Sequence, residues 1–162
     1  MSTYQQVCWD DLEEGQEIPS LQKGPITTRT VMQWGAAVGD YYEIHYDDRF
    51  AREVAHLPGV IVHGTYKFGL LGQLLSDWHG PAGWVRRLGC SYRGMDMPGE
   101  VMTARGRVKG KVEQEGEHLV EVEVWTENPR GERTTVGEAL VLLPRRKISP
   151  AGQHLRVEGS LA

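Results

Sequence analysis

Thr65-Tyr66-Lys67-Phe68-Gly69-Leu70-Leu71-Gly72-Gln73-Leu74-Leu75-Ser76-Asp77-Trp78 is the stretch on which the fold turns. Phe68, Leu71, Leu74, Leu75 and Trp78 recur every three or four residues, which predicts one helix over 65–78, apolar nearly all round and therefore buried. Its other side is small, with Thr65, Gly69, Gly72 and Ser76 at helical spacing. Each internal glycine costs roughly 1 kcal/mol relative to alanine, a cost explained where a neighbour packs too close to admit a side chain. The expectation is a buried helix packed against a curved sheet.

Working outward, the residues before this helix read as short helices and loops. From Thr28, the positions Val31, Trp34, Ala37 and Val38 keep helical spacing, with Thr28 able to cap the first turn and Gly39 able to close the last. Asp40 is thus delivered just past a helix end. Asp47 or Asp48 can cap a second short helix carrying Phe50, Ala51, Val54 and Ala55, which stops before Pro58-Gly59. Residues 1–26 read as loop with at most one strand.

After the helix the period changes to two. Residues 84–92 read as a strand. Met102, Ala104, Val108 and Val112 then alternate with Thr103, Arg105, Arg107, Lys109 and Lys111, a strand with one wet face. A turn at 114–117 leads into Val120, Val122 and Val124 alternating with Glu121 and Glu123, so charge pairing predicts Arg107 opposite Glu123 and Lys109 opposite Glu121. A turn at Asn128-Pro129-Arg130-Gly131 precedes a strand over 136–143. Helices followed by antiparallel strands make an α+β domain over 1–143, with a loosely ordered tail over 144–162.

The 162 residues amount to one domain, long enough to build a core without metal or disulfide. With 40% hydrophobic and 25% charged residues the chain is in the globular range. Its 18 Lys and Arg against 22 Asp and Glu give a net charge of −4, which argues against a nucleic-acid partner. No apolar run approaches the roughly 20 residues of a membrane span. The first residues resemble no secretion signal, and Cys8 and Cys90 suit reduced thiols, so a cytoplasmic address is expected. Glycine stands out: 20 residues, about 12% against an average near 7%.

Familiar catalytic signatures mostly fail. Gly89-Cys90-Ser91-Tyr92-Arg93 lacks the closing glycine of a nucleophile elbow, and Gly59 with Gly64 lacks a phosphate-loop lysine, because Thr65 stands at its place and Lys67 comes too late. The six histidines show no short paired spacing, so no metal site is expected. What remains is Asp40 with His45 in one loop, and His63-Gly64 at the start of the buried helix. A carboxylate and a neutral imidazole can share one water, and a helix-terminal glycine can offer its N–H to a carbonyl oxygen gaining charge. From spacing alone, an aspartate after a glycine cap followed by a loop histidine is more simply read as ordinary turn chemistry.

The stretch Val38-Gly39-Asp40-Tyr41-Tyr42-Glu43-Ile44-His45-Tyr46-Asp47-Asp48-Arg49-Phe50-Ala51, followed by Val60-Ile61-Val62-His63-Gly64, resembles the MaoC-like dehydratase family, which includes the (R)-specific enoyl-CoA hydratases. The resemblance implies a single hotdog domain, an antiparallel sheet wrapped around a long central helix. It implies a hydro-lyase that adds water reversibly to an enoyl thioester, or removes it from a 3-hydroxyacyl thioester, with Asp40 and His45 activating the water. It puts the oxyanion glycine at Gly64; beside it, His63, Thr65 and Tyr42 are further candidates for contact with the substrate. No cofactor is implied beyond the coenzyme A or acyl carrier protein that carries the acyl group, and the expected assembly is a homodimer or a hotdog heterodimer. Two departures stand out: Tyr42 and Glu43 occupy the family's usual Asn-Pro positions, and Gly72 falls where some members carry a helix serine.

Two other readings follow from the same residues. An accessory or acyl-binding subunit of a heteromeric hydratase would explain the altered loop, and a hotdog thioesterase would release free thiol, although no acidic-nucleophile pattern is present. Among the arginines, Arg86, Arg87 and Arg93 are the candidates for coenzyme A phosphates.

Overall fold

The computed structural model describes residues 5–146. Five strands, β1 (Glu17–Lys23), β2 (Trp84–Tyr92), β3 (Met102–Gln114), β4 (Glu117–Glu127) and β5 (Arg133–Leu142), accompany two α-helices, α1 (Thr28–Val38) and α2 (Gly64–His79). The strands form one antiparallel sheet in the order β1-β3-β4-β5-β2. The predicted helix over 65–78 is therefore α2, and the sheet curves around it in the hotdog arrangement.

Leu70, Leu71, Leu74, Leu75 and Trp78 of α2 are all buried. They pack with Met102, Ala104 and Val108 of β3, Val120, Val122 and Val124 of β4, and Ala139 and Val141 of β5. Phe68 is not part of this face; it is 37% exposed. Nor does the small side of α2 meet the centre of the sheet. A Cβ on Gly69 would stand 3.0 Å from the Trp34 ring of α1, whereas one on Gly72 would find only Leu88 at 3.9 Å. The leucine face takes the sheet, and the glycine side admits an indole.

Local chemistry sets the ends of α1. Thr27, one residue before the expected cap, accepts the Thr30 N–H through its hydroxyl, and Gly39 closes the helix at φ 74° with its N–H donated to Gly35 O. The second short helix is a π-helical turn (Phe50–Val54), begun by Asp47 Oδ1 accepting the Phe50 N–H.

The β3–β4 hairpin keeps half of its predicted register. Arg107 lies opposite Glu123, but a bulge between Val108 and Gly110 puts Gly110, not Lys109, opposite Glu121. Lys109 reaches instead to Glu138 of β5 at 2.6 Å, and Arg107 to Glu17 of β1. The start of the expected tail is tied down: Trp9 N–H donates to Pro144 O, and Arg145 and Arg146 pair with Asp10 and Asp11. The rest of that tail, 147–162, lies outside the described residues. Among the described residues no helix is long and apolar enough to cross a membrane.

Part of the glycine surplus lies in the sheet. A Cβ on Gly137 of β5 would run into Gly89 O and lie 2.9 Å from Cys90 Cβ on β2, while one on Gly89 would find open space. Gly137→Val is expected to cost about 3 kcal/mol or more, lowering the melting temperature by roughly 6–12 °C, with Gly89→Ala within about 1 kcal/mol of the parent. Thermal denaturation followed by circular dichroism checks both.

Candidate active site

Asp40 and His45 lie in the loop that α1 delivers. The Asp40 N–H still bonds back to Gly35 O, and Asp40 Oδ1 accepts the Tyr42 N–H at 3.3 Å, so Oδ2 faces away from the loop's own backbone. Residues Glu43–His45 form a 3-10 turn that carries the His45 ring inward, where it is 9% exposed. His45 Nδ1 is 2.8 Å from Ile61 O. A neutral imidazole there carries its proton on Nδ1 and keeps the Nε2 lone pair free. That Nε2 lies 3.9 Å from Asp40 Oδ2, a separation that fits one water within hydrogen-bond reach of both.

His63 completes the cluster from the other side. Its ring stacks on His45 with centroids 3.7 Å apart and an interplanar angle of 21°. Its Nε2 lies 3.4 Å from Asp40 O and 4.0 Å from Asp40 Oδ2, and its Nδ1 is buried without a partner. Burial pushes the His63 imidazole below the ordinary histidine range, and the neighbouring His45 adds to this. His63 therefore favours the neutral state, with its proton on the Nε2 that faces Asp40.

Asp40, His45 and His63 also present one oxygen and two nitrogens within 4.8 Å of one another, a grouping hidden by the 17 residues between the histidines. Because the rings lie face to face, an ion midway between them would stand well out of both ring planes. His63 Nδ1 also lacks the second partner that a metal-bound imidazole uses. The arrangement suits a shared water better than a shared ion.

Gly64 is the first residue of α2, and His63 at its N-cap position supplies no side-chain cap. The Gly64 and Thr65 N–H groups thus remain for an acceptor at the positive end of the helix. Thr65 Oγ1 accepts the Trp34 indole N–H at 2.9 Å, leaving its hydroxyl hydrogen to donate. These groups border a cleft of about 550 Å³ lined by Asp40, His45, Gly64, Thr65, Lys67 and Tyr92, among others. A larger groove of about 760 Å³ at the other end of α2 carries Asp11, Asp77 and Gln73 but no histidine.

Of the residues singled out by sequence, Asp40, His45, His63, Gly64 and Thr65 come together. Tyr42 contributes its backbone only: its ring is 51% exposed and packs edge-on against Phe50, with centroids 6.0 Å apart. Arg86 is paired with Glu117 and Arg87 borders a different surface, while Arg93 alone of the three reaches the cleft. Sequence reasoning missed Tyr92, whose ring would stand 3.0 Å from a Cβ on Gly64, and Lys67, buried on the leucine face of α2. A lysine in register with Leu70, Leu71 and Leu74 was the available signal for the second.

No curated protein matches the chain by sequence. Among solved structures it is similar to the (R)-hydratase from A. caviae involved in PHA biosynthesis, at 26% identity and TM-score 0.73 over 83% of this chain and 98% of that one. R-hydratase PhaJ1 from Pseudomonas aeruginosa is similar in fold at 20% identity and TM-score 0.75, over 97% and 94%. The ChsH1–ChsH2 complex from Mycobacterium tuberculosis follows at 19% identity and TM-score 0.69, over 81% and 98%. The family model described as MaoC like domain matches residues 12–128. That span runs from before β1 to the end of β4 and takes in every residue bordering the cleft, so the chain belongs to the MaoC-like dehydratase family of hotdog proteins.

Proposed function

We propose that the chain is a hydro-lyase that reversibly hydrates a trans-2-enoyl thioester, carried on coenzyme A or acyl carrier protein. The observation that carries this reading is the 3.9 Å gap between Asp40 Oδ2 and His45 Nε2, opening on the N-terminus of α2. A water in that gap gives a proton to His45 Nε2 as its oxygen bonds to the β-carbon. The electron pair of the double bond moves toward the thioester oxygen, where the Gly64 N–H stabilises the enolate, and the α-carbon then takes the proton back from His45 Nε2, which restores the neutral imidazole. Asp40, a hydrogen-bond acceptor, orients the water, while Ile61 O fixes the His45 tautomer. Dehydration follows the same path in reverse.

Assembly through a sheet edge fits this reading. Among the described residues β2 pairs on one side only, with β5, and Trp84 and Tyr92 are exposed at its two ends. A second copy or another hotdog chain can pair there. The ChsH1–ChsH2 complex among the similar structures favours one second reading, in which this chain is one subunit of a heteromeric hydratase. Free Cys8 and Cys90 are compatible with work in the reducing cytoplasm.

Purified protein is expected to bleach the conjugated-thioester absorbance of crotonyl-CoA or of a bulkier enoyl-CoA. Asp40→Asn and His45→Gln should each slow this by roughly 10²–10⁴-fold, or about 3–5 kcal/mol of barrier. Variants as fast as the parent would remove the assignment, whereas turnover that appears only with an added hotdog chain selects the heteromeric reading. Gly64→Ala tests the helix end separately. Its methyl would displace Tyr92, and the expected loss is roughly 10–10²-fold in kcat with an unchanged melting temperature.

A further inference from the structure

Among the described residues, and histidines aside, Lys67 and Asp96 are the two formally charged side chains that are buried, at 2% and 0% exposure. Shutting an ion pair away from water is costly, and apolar replacements of similar volume commonly match or exceed its stability. A buried pair therefore needs an explanation other than stability, and its place in the fold supplies one.

Lys67 Nζ donates to Gly94 O at 2.8 Å and approaches Thr134 O at 3.4 Å. It also lies 2.9 Å from Asp96 Oδ2, off the direction of an aligned hydrogen bond, so this contact is ionic, and Asp96 Oδ1 has no partner. The Asp96 carbonyl accepts the Val62 N–H at 2.9 Å. Asp96 thus grips the chain on both sides of His63-Gly64, by its main chain just before the turn and by its side chain one helical turn after it. Tyr92, at the end of β2, lies against Gly64 from the same segment.

A helix start is ordinarily fixed by a side-chain cap, and α2 has none. We propose that Lys67 and Asp96 are positioning residues that hold the Gly64 N–H in line with the thioester oxygen. This rests on the reading of Gly64 as the oxyanion donor. Lys67 ties the first turn of α2 to Gly94 and Thr134, and Asp96 closes the loop back to Val62. Apolar side chains would fill the same space and keep the main-chain bond from Val62 to Asp96 O, but would lose the directional ties from Lys67 to Gly94 and Thr134, and small displacements of a catalytic group are expensive in rate.

Lys67→Met, and the double variant Lys67→Met with Asp96→Leu, test this against the parent on crotonyl-CoA, with acetoacetyl-CoA as the probe of enolate stabilisation. In both variants kcat is expected to fall about 10–10²-fold with KM within about threefold. Bound acetoacetyl-CoA should show less near-ultraviolet enolate absorbance than on the parent at the same pH. The double variant should melt at or above the parent temperature, so that recovered stability without recovered rate separates positioning from folding. Where Lys67→Met fails to fold, the double variant carries the test alone. A double variant with parental kcat and enolate absorbance overturns the positioning role. A parent that neither hydrates an enoyl-CoA panel nor ionises bound acetoacetyl-CoA overturns the hydratase reading, and this proposal with it.

Discussion

The burial of one face of α2 by a single curved sheet is the constraint on which the rest of the molecule depends. Leu70, Leu71, Leu74, Leu75 and Trp78 find their partners on β3, β4 and β5, and removing that apolar surface from water is the main stabilising term available to the core. Once the helix is held in this way, its N-terminus has a fixed place at the rim of the sheet. A helix start without a side-chain cap is then brought to the cleft that contains Asp40 and His45. Packing at one end of the helix thereby places exposed N–H groups at the other.

Much of this was legible because each signal was local. The period of α2, the Gly39 stop of α1 and the alternation of the strands need only nearest neighbours along the chain, and all appear in the structure. The register of the β3–β4 hairpin failed where the cause was not local. Arg107 meets Glu123 as charge pairing predicts, but the bulge after Val108 shifts every later residue, so Lys109 finds a partner on β5. Pairing rules applied to two strands cannot anticipate a third strand offering a carboxylate.

The site divides along the same line. Asp40 and His45 are five residues apart, and their meeting could be anticipated, whereas the stacking of His63 on His45 depends on how the 46–62 segment returns. Tyr92 and Lys67 were illegible as site residues for a further reason: each looks like ordinary packing until its neighbours are known. The Tyr92 ring matters because the residue beneath it is a glycine at a helix start. Lys67 matters because Gly94, Asp96 and Thr134 surround its ammonium.

The departures at Tyr42 and Glu43 take on a different meaning once their directions are known. Bulk and charge at these positions threaten a site only if they point into it, and the Tyr42 ring turns outward onto Phe50 while its N–H supports Asp40 Oδ1. Glu43 opens the 3-10 turn, and its carbonyl accepts the N–H groups of Tyr46 and Asp47 at 3.1 and 2.8 Å. The turn that swings His45 inward is therefore built from main-chain bonds that do not require the family's usual side chains. Tyr42 therefore alters the outer surface of the loop and leaves the Asp40–His45 gap unobstructed.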